Sequence, residues 1–322
     1  MNILICGVSG MIGSNLAERL KNDGHYIVGV DIKKSEYTIP KVDMFLQQDL
    51  TDQAGTRYLF DMCPKFDRVY SHAAVMGGME FLASGDCDYR VLNESTLINW
   101  NVLDNAVRTG VERVFFASSA CAYPEFKQTT TTGVDLKESD AYPALPDLEY
   151  GWQKLISERI HMAAERTTET EVRIARYHNI YGRRTSWKDD TAKAPAAICR
   201  KVIMAEDNTS IDIIGDGLQT RSFTYIDDCV EGTIRLMESD YNKPLNIGSD
   251  QMVSINELAQ MIVAISGKNL SFNHIHGPQG VRGRNSDNTL IKKVLNWKPG
   301  TKLQDGIPKL YEWVYNEINK PQ

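Results

Sequence analysis

Apolar residues along the chain fall into two rhythms. Short segments with clustered apolar residues occur at 2–6 (NILIC), 26–31 (YIVGVD), 44–50 (MFLQQDL), 67–74 (DRVYSHAA) and 111–119 (VERVFFASS). Their length suits strands buried on both faces. Between some of these runs the apolar positions come every three or four residues. In MIGSNLAERLKNDG, Ile12, Leu16 and Leu20 are spaced as one helical face, and Gly24 makes a C-cap. ESTLINWNVLDNAVRTG predicts a long helix that stops at Gly110, and DLEYGWQKLISERIHMAAER predicts another at 147–166. Strands alternating with helices at this pitch predict an α/β fold built on a doubly wound parallel sheet.

After RYHNIYG (176–182) the alternation breaks. A loop and helix are expected over 185–207, strands around a Gly-rich turn over 210–228, and a helix over 227–239. PLNIGS (244–249) reads as a return to the sheet, and amphipathic helices follow at 254–267 and 302–318. The chain therefore divides into a first domain, 1–178, and a smaller interleaved domain, 179–322. Parts of 224–248 rejoin the first.

The turn after the first strand carries Gly7, Gly10 and Gly13, with Met11 and Ile12 opening the helix. Strand, glycine turn, helix, strand and acidic residue, in that order, form a Rossmann-type dinucleotide site. The glycines bring backbone close to a pyrophosphate, and the helix N-terminus faces its charge. Asp31, ending the second strand, is placed to accept hydrogen bonds from ribose hydroxyls and to repel a 2′-phosphate, which favours NAD over NADP. Lys33 and Lys34 soften that preference. Asp49 and Leu50, at the end of the third run, are expected at the adenine.

Composition adds exclusions. With 322 residues, 42% hydrophobic and 24% charged, the chain is of ordinary globular make-up. A net charge of −6 and a pI near 5.6 disfavour nucleic acid and anionic membrane partners. No apolar run approaches the roughly 18 residues of a membrane span, and the opening residues read as a strand, not a signal peptide. The six cysteines, at 6, 63, 87, 121, 199 and 229, form no CxxC pair. They fit reduced thiols in a cytoplasmic protein, with no metal site.

Candidate chemistry gathers at the fifth run. Ser119 ends it, Ala120 and Cys121 follow, and ligands on such sheets bind beyond the carboxyl ends of the strands. Tyr150 and Lys154 stand four apart on one helix face. A tyrosine near pKa ~10 is a poor base at neutral pH. A cationic lysine and a positive nicotinamide are expected to lower it. Tyr150 then takes a hydroxyl proton as hydride leaves the same carbon, while Lys154 holds the nicotinamide ribose and Ser119 bonds the reacting oxygen.

GxxGxxG, the strand-end serine and YxxxK together identify the chain as a member of the extended short-chain dehydrogenase/reductase superfamily. Within it the chain resembles the GDP-mannose 3,5-epimerase family in SSACAYPEFKQ, KESDAYPALPDLEYGWQK, RYHNIYG, KAPAAICRK, GDGLQTRSFTYIDDCVEG, NIGSDQMVSINE and GVRGRNSDN. The resemblance implies an NAD-dependent isomerase that oxidises sugar carbon 4, inverts carbons 5 and 3, and reduces carbon 4 again. GDP-mannose or a related GDP-sugar is the implied substrate, with GDP-L-galactose or GDP-L-gulose as product. It makes Cys121 and Lys193 the acid/base pair, Cys121 as thiolate base and Lys193 as ammonium acid.

For the substrate, Gly77, Gly78 and Met79 are expected against the sugar, with Ser119, Ala120, Cys121, Lys193 and Ala194. Asn179 is expected at the sugar or diphosphate, and Lys201, Arg221 and above all Arg282 at the diphosphate. Trp187 is either a pocket wall or a loop anchor. Two departures from the family stand out: Ala192 replaces a glutamate, and His72 stands where asparagine is more usual. The superfamily also implies a homodimer through helices near 94–109 and 150–166. Three other readings remain: an NADPH-consuming epimerase/reductase similar to GDP-fucose synthase, a 4,6-dehydratase, and a non-catalytic NAD-binding sensor.

Overall fold

The computed structural model of the chain describes residues 1–35, 37, 40–189 and 191–320. Seven strands form one sheet in the spatial order Leu245–Ile247, Glu171–Tyr177, Arg113–Ser119, Arg68–Ser71, Asn2–Cys6, Tyr26–Asp31 and Met44–Gln47. Every neighbouring pair is parallel. The order reverses beside Asn2–Cys6: the next two strands in sequence lie on one side, and the later ones on the other. A crevice opens at such a switch point, beyond the strand ends.

The sheet is covered on both faces, which is why its strands read as segments of clustered apolar residues. Helices Met11–Asn22 and Ile226–Glu238 pack together, and helices Gln53–Met62, Asp88–Arg108 and Glu149–Thr167 form a second layer in which successive helices touch. Gln53–Met62, which the sequence reading passed over, is capped by Asp52 accepting from the Ala54 amide. The long helix starts at Asp88, earlier than the apolar pattern had implied, because Val91 extends the buried stripe of Ser95, Ile98 and Val102 by one turn.

Beyond residue 178 the chain builds smaller sheets at the crevice. One has four strands in the order Met252–Ser254, Thr220–Ser222, Gly283–Ser286 and Asp135–Leu136. Asp135–Leu136 comes from the first half, whereas Leu245–Ile247 completes the main sheet from the second. Chain therefore crosses between the two parts in both directions. Ser210–Ile214 pairs with Ser271–Ile275, and helices Ala194–Met204, Ile255–Ser266 and Leu303–Ile318 pack against one another.

Candidate active site

A cavity of about 1130 Å³ runs along the carboxyl ends of the strands and into the smaller sheets. At one end the chain turns through Gly7, whose φ of +79° suits glycine. A Cβ on Gly7 would stand 2.8 Å from the Ala73 nitrogen, and one on Gly13 would stand 2.2 Å from the Gly7 carbonyl oxygen. Helix Met11–Asn22 therefore begins pressed against the first strand. Its N-cap, Gly10, supplies no side-chain cap, so the first amides face the cavity uncovered. Asp31 accepts the Ser9 amide at 2.9 Å and the Lys33 amide at 3.3 Å. Burial raises its pKa against the pull of these amides. Asp49, Leu50, Met11 and Ile12 line the same end.

These residues fit a dinucleotide, because the cradle exists only while its glycines lack Cβ atoms. Gly13→Ala adds a clash of about 1–3 kcal/mol and is expected to weaken NAD binding roughly ten- to hundredfold. Titration calorimetry would read it; unchanged affinity would rule the cradle out.

At the middle of the cavity, Ser119 ends its strand and its hydroxyl accepts the Cys121 amide at 3.1 Å, winding Ala120–Ala122 into one 3-10 turn. Helix Glu149–Thr167 closes on this turn. A Cβ at Gly151 would lie 2.2 Å from the Cys121 carbonyl oxygen, so glycine there permits the approach. Lys154 is buried; its ammonium donates to the Ala117 carbonyl at 2.9 Å and lies 5.0 Å from the Phe116 ring centre and 5.5 Å from that of Tyr150. Burial pulls its pKa down to about 8, against Cys121 and Glu158, which raise it.

The Tyr150 hydroxyl donates to the Met76 sulfur at 3.9 Å. Burial raises the phenol's pKa and Cys121 adds to this, while Ser119 opposes it. The expected lowering by Lys154 is absent from the protein's own groups. The ammonium lies over the Tyr150 ring, 5.5 Å from its centre, and is engaged by the Ala117 carbonyl instead of the phenol oxygen.

Lys193 is the N-cap of helix Ala194–Met204. Burial lowers its pKa, and Cys121 and then Cys229 raise it. Its side chain has no hydrogen bond or ion pair among the described residues. Ser119, Ala120, Cys121, Tyr150, Lys154, Lys193 and Ala194 all line the one cavity, as do Gly77, Gly78, Met79 and Asn179. Asn179 holds a φ of +42° and donates to the Ser222 carbonyl at 2.9 Å.

The cations divide differently from the sequence expectation. Arg282 is not among the cavity residues; it is bound two-pronged by Asp216 at 3.0 and 3.1 Å and also bonds Gln279. Arg284, which the sequence reading missed, does line the cavity. Arg284 donates to the Cys121 sulfur at 3.1 Å and to Gln128 at 2.5 Å, and lies 3.7 Å from Asp147. In GVRGR, Arg282 precedes Gly283 and Arg284 follows it. Only strand pairing, which sets Arg284 opposite Arg221, tells them apart. Burial and the neighbouring Arg284 pull Arg221 down to about 9, as expected where cations are held together out of water. Lys201 also lines the cavity while bonding the Asp212 carbonyl at 2.7 Å.

Trp187 is a core anchor and not a cavity wall. His72 packs among the Tyr70, Phe115 and Tyr177 rings. Its ring nitrogens have no hydrogen-bond partner, and burial lowers its pKa to about 3. Among the described residues, no group of His, Cys, Asp or Glu is arranged to hold a metal ion, and no helix is long and apolar enough to cross a membrane.

Residues 3–248 match the model of the NAD dependent epimerase/dehydratase family. The chain is 46% identical to GDP-mannose 3,5-epimerase of Arabidopsis thaliana, over 99% of this chain and 84% of that protein. It is 47% identical to GDP-mannose 3,5-epimerase 1 of Oryza sativa subsp. japonica, over 99% and 83%. Among solved structures it resembles UDP-glucose 4-epimerase from Thermotoga maritima with UDP-glucose, at a TM-score of 0.88, 24% identity, and 99% and 100% coverage. The UDP-glucose 4-epimerase of Thermus thermophilus in complex with NAD gives 0.84 at 20% identity, with 98% and 99% coverage. Identity at that level speaks for the fold, and the fold agrees with the glycine cradle and the parallel sheet. By the family match and the full-length relatives together, the chain belongs to the NAD-dependent epimerase/dehydratase family.

Proposed function

We propose that this chain inverts carbons 5 and 3 of GDP-mannose, giving GDP-L-galactose or GDP-L-gulose, with NAD held in the glycine cradle. The supporting observation is the meeting of Cys121 and Lys193 with Tyr150 and Lys154 in one cavity. A strand-end redox pair alone serves 4-epimerisation; inversion next to a ketone also needs two proton carriers on opposite faces of the ring. We assign residues 1–178, with the strand at 245–247, to holding NAD, and 179–322 to the nucleotide-sugar.

Gly7, Gly10, Gly13 and Asp31 hold the dinucleotide, and Lys154 its nicotinamide ribose. Bound there, NAD would supply a hydride acceptor and donor at carbon 4 and a positive charge that favours a phenolate at Tyr150. Tyr150 accepts the carbon 4 hydroxyl proton, and Ser119 hydrogen-bonds that oxygen. Cys121, in contact with the Arg284 guanidinium, removes the proton from the carbon beside the ketone. Lys193, an ammonium below its lowered pKa, delivers one from the other face. Arg221, Lys201 and Asn179 meet the diphosphate, against the repulsion of an acidic protein.

Turnover of GDP-mannose in deuterated water, without added reductant, tests this by proton NMR. Deuterium should enter carbons 3 and 5 in epimerised product. Exchange at neither carbon, in folded protein with NAD bound, would rule the reading out and favour a reductase of 4-keto sugars.

We also propose a homodimer. Tyr89 (77% exposed), Leu97 and Trp100 (51%) lie along helix Asp88–Arg108, with Ile156 exposed on the adjoining helix. Such a patch marks an interaction surface. Sedimentation should give twice the chain mass, and Trp100→Glu should shift it toward monomer; a monomeric parent would refute the assignment. A reducing compartment such as the cytoplasm suits the free thiol at Cys121.

A further inference from the structure

Glu158 is completely buried, one helical turn beyond Lys154. A buried carboxylate needs partners, and the partners here link three elements. Its Oε1 accepts the Ser118 hydroxyl at 2.5 Å and the Arg176 Nε at 2.8 Å, while Oε2 accepts the Arg176 Nη2 at 2.6 Å. Ser118 and Arg176 face each other across the two adjacent strands that end at the cavity. Arg176 is itself fixed, donating to the Glu138 carbonyl at 2.8 Å with its guanidinium carbon 4.9 Å from the Tyr123 ring centre. The helix that carries the tyrosine and lysine is thus bolted to both strands by one side chain. Its seat is completed by Lys154 on Ala117 and by Gly151 on the Cys121 turn.

The same carboxylate faces Lys154 electrostatically. The titratable groups around that ammonium are Cys121 from the 3-10 turn, Tyr150, Glu158 and His161 from its own helix, and His72 beyond the fourth strand. Burial keeps both histidines neutral, at about 3 and about 4. The strand beneath contributes the Ala117 carbonyl and the Phe116 ring. Helix Asp88–Arg108, packed alongside, contributes the uncharged Asn99, which bonds Ser157 at 3.1 Å. Among the described residues, Glu158 is therefore the carboxylate that offsets the burial of Lys154.

We propose that Glu158 is a positioning residue for the Tyr150–Lys154 pair, seating their helix on the two strands and holding Lys154 as an ammonium. As a statement about the proposed reaction it rests on that reading. The charge on Lys154 does not, and is measured without any sugar.

The test uses the NAD-loaded protein labelled with 13C at the lysine ε-carbon, with the Lys154 signal assigned by Lys154→Arg. Its titration is followed in the parent, in Glu158→Gln, and in Glu158→Gln with Arg176→Gln. The double variant removes both buried charges, so it remains informative where the single variant leaves Arg176 unpaired and unfolds. The Lys154 midpoint is expected to fall in folded Glu158→Gln, and to fall less in the folded double variant, where loss of the Arg176 charge partly offsets loss of the carboxylate. The basic limb of GDP-mannose turnover should fall with it. A parental midpoint in folded Glu158→Gln, or in the double variant where the single one unfolds, would overturn the proposal and leave the pair a structural brace. A lowered midpoint in protein whose parent does not turn over GDP-mannose would remove the proposed function and leave the inference standing.

Discussion

Cys121→Ser is expected to reduce deuterium entry at sugar carbons 3 and 5 by about 10²–10⁴-fold, the usual contribution of a positioned acid or base, while cofactor reduction on mixing with GDP-mannose persists. A serine hydroxyl has nearly the same shape and can accept from Arg284 and keep the turn capped by Ser119. It is far less acidic than a thiol, so it cannot take the thiol's place as a base near neutral pH. Stopped-flow absorbance follows the redox step, and NMR follows exchange. Loss of exchange with hydride transfer intact would fix Cys121 in the proton-transfer half of the cycle. Undiminished exchange would pass that role to Lys193 or another group.

Tyr150→Phe has the larger reach. Turnover, cofactor reduction and deuterium exchange should all fall together, by about 10²–10⁴-fold. The order of events explains this: the carbon 3 and 5 hydrogens become acidic only once carbon 4 is a ketone, so losing the redox base stops the proton chemistry as well. Folding should be little disturbed, since the phenol hydroxyl meets the Met76 sulfur at 3.9 Å, a weak contact, and the Ser119 hydroxyl, which remains tied to the Cys121 amide. Parental melting temperature with lost turnover is the expected pair of results. Exchange surviving in Tyr150→Phe would mean that proton abstraction does not wait for oxidation at carbon 4, and the proposed order would fail.

The two variants also separate the competing readings. A reductase of 4-keto sugars would consume a reduced cofactor in a stoichiometric reaction, whereas the proposed cycle regenerates NAD. A cofactor-binding sensor would show neither exchange nor turnover in the parent, although its glycine cradle would still respond to Gly13→Ala.

The parts of this site that lie close together in sequence were legible there. Gly7, Gly10 and Gly13 serve one turn, and Asp31 ends the very next strand. Tyr150 and Lys154 meet because four residues make about one helical turn. Ser119 and Cys121 occupy a single turn at a strand end. In each case local backbone geometry places the residue, so spacing carries the information. That Cys121 and Lys193 line one cavity was legible only through resemblance, because the 71 residues between them carry no local signal of it.

What the tertiary structure decided were contacts set by strand order and pairing. Arg282 and Arg284 are alike in sequence, each near a glycine, yet one is bound to Asp216 at the surface and the other reaches the Cys121 sulfur. The choice follows from the register that places Arg284 beside Arg221. Glu158 looks like any polar helix residue until strands 113–119 and 171–177 pair beneath it and bring Ser118 and Arg176 to its carboxylate. Likewise, Tyr150 has a raised pKa because surrounding elements bury it, and nothing in the YxxxK spacing encodes that burial. Sequence by itself determined most of the alternating strands and helices, the cofactor turn and the one-turn pairs, since those depend on backbone periodicity. Tertiary structure alone decided which charges face the cavity and how strongly burial shifts them, because desolvation and long-range pairing exist only once distant strands are side by side.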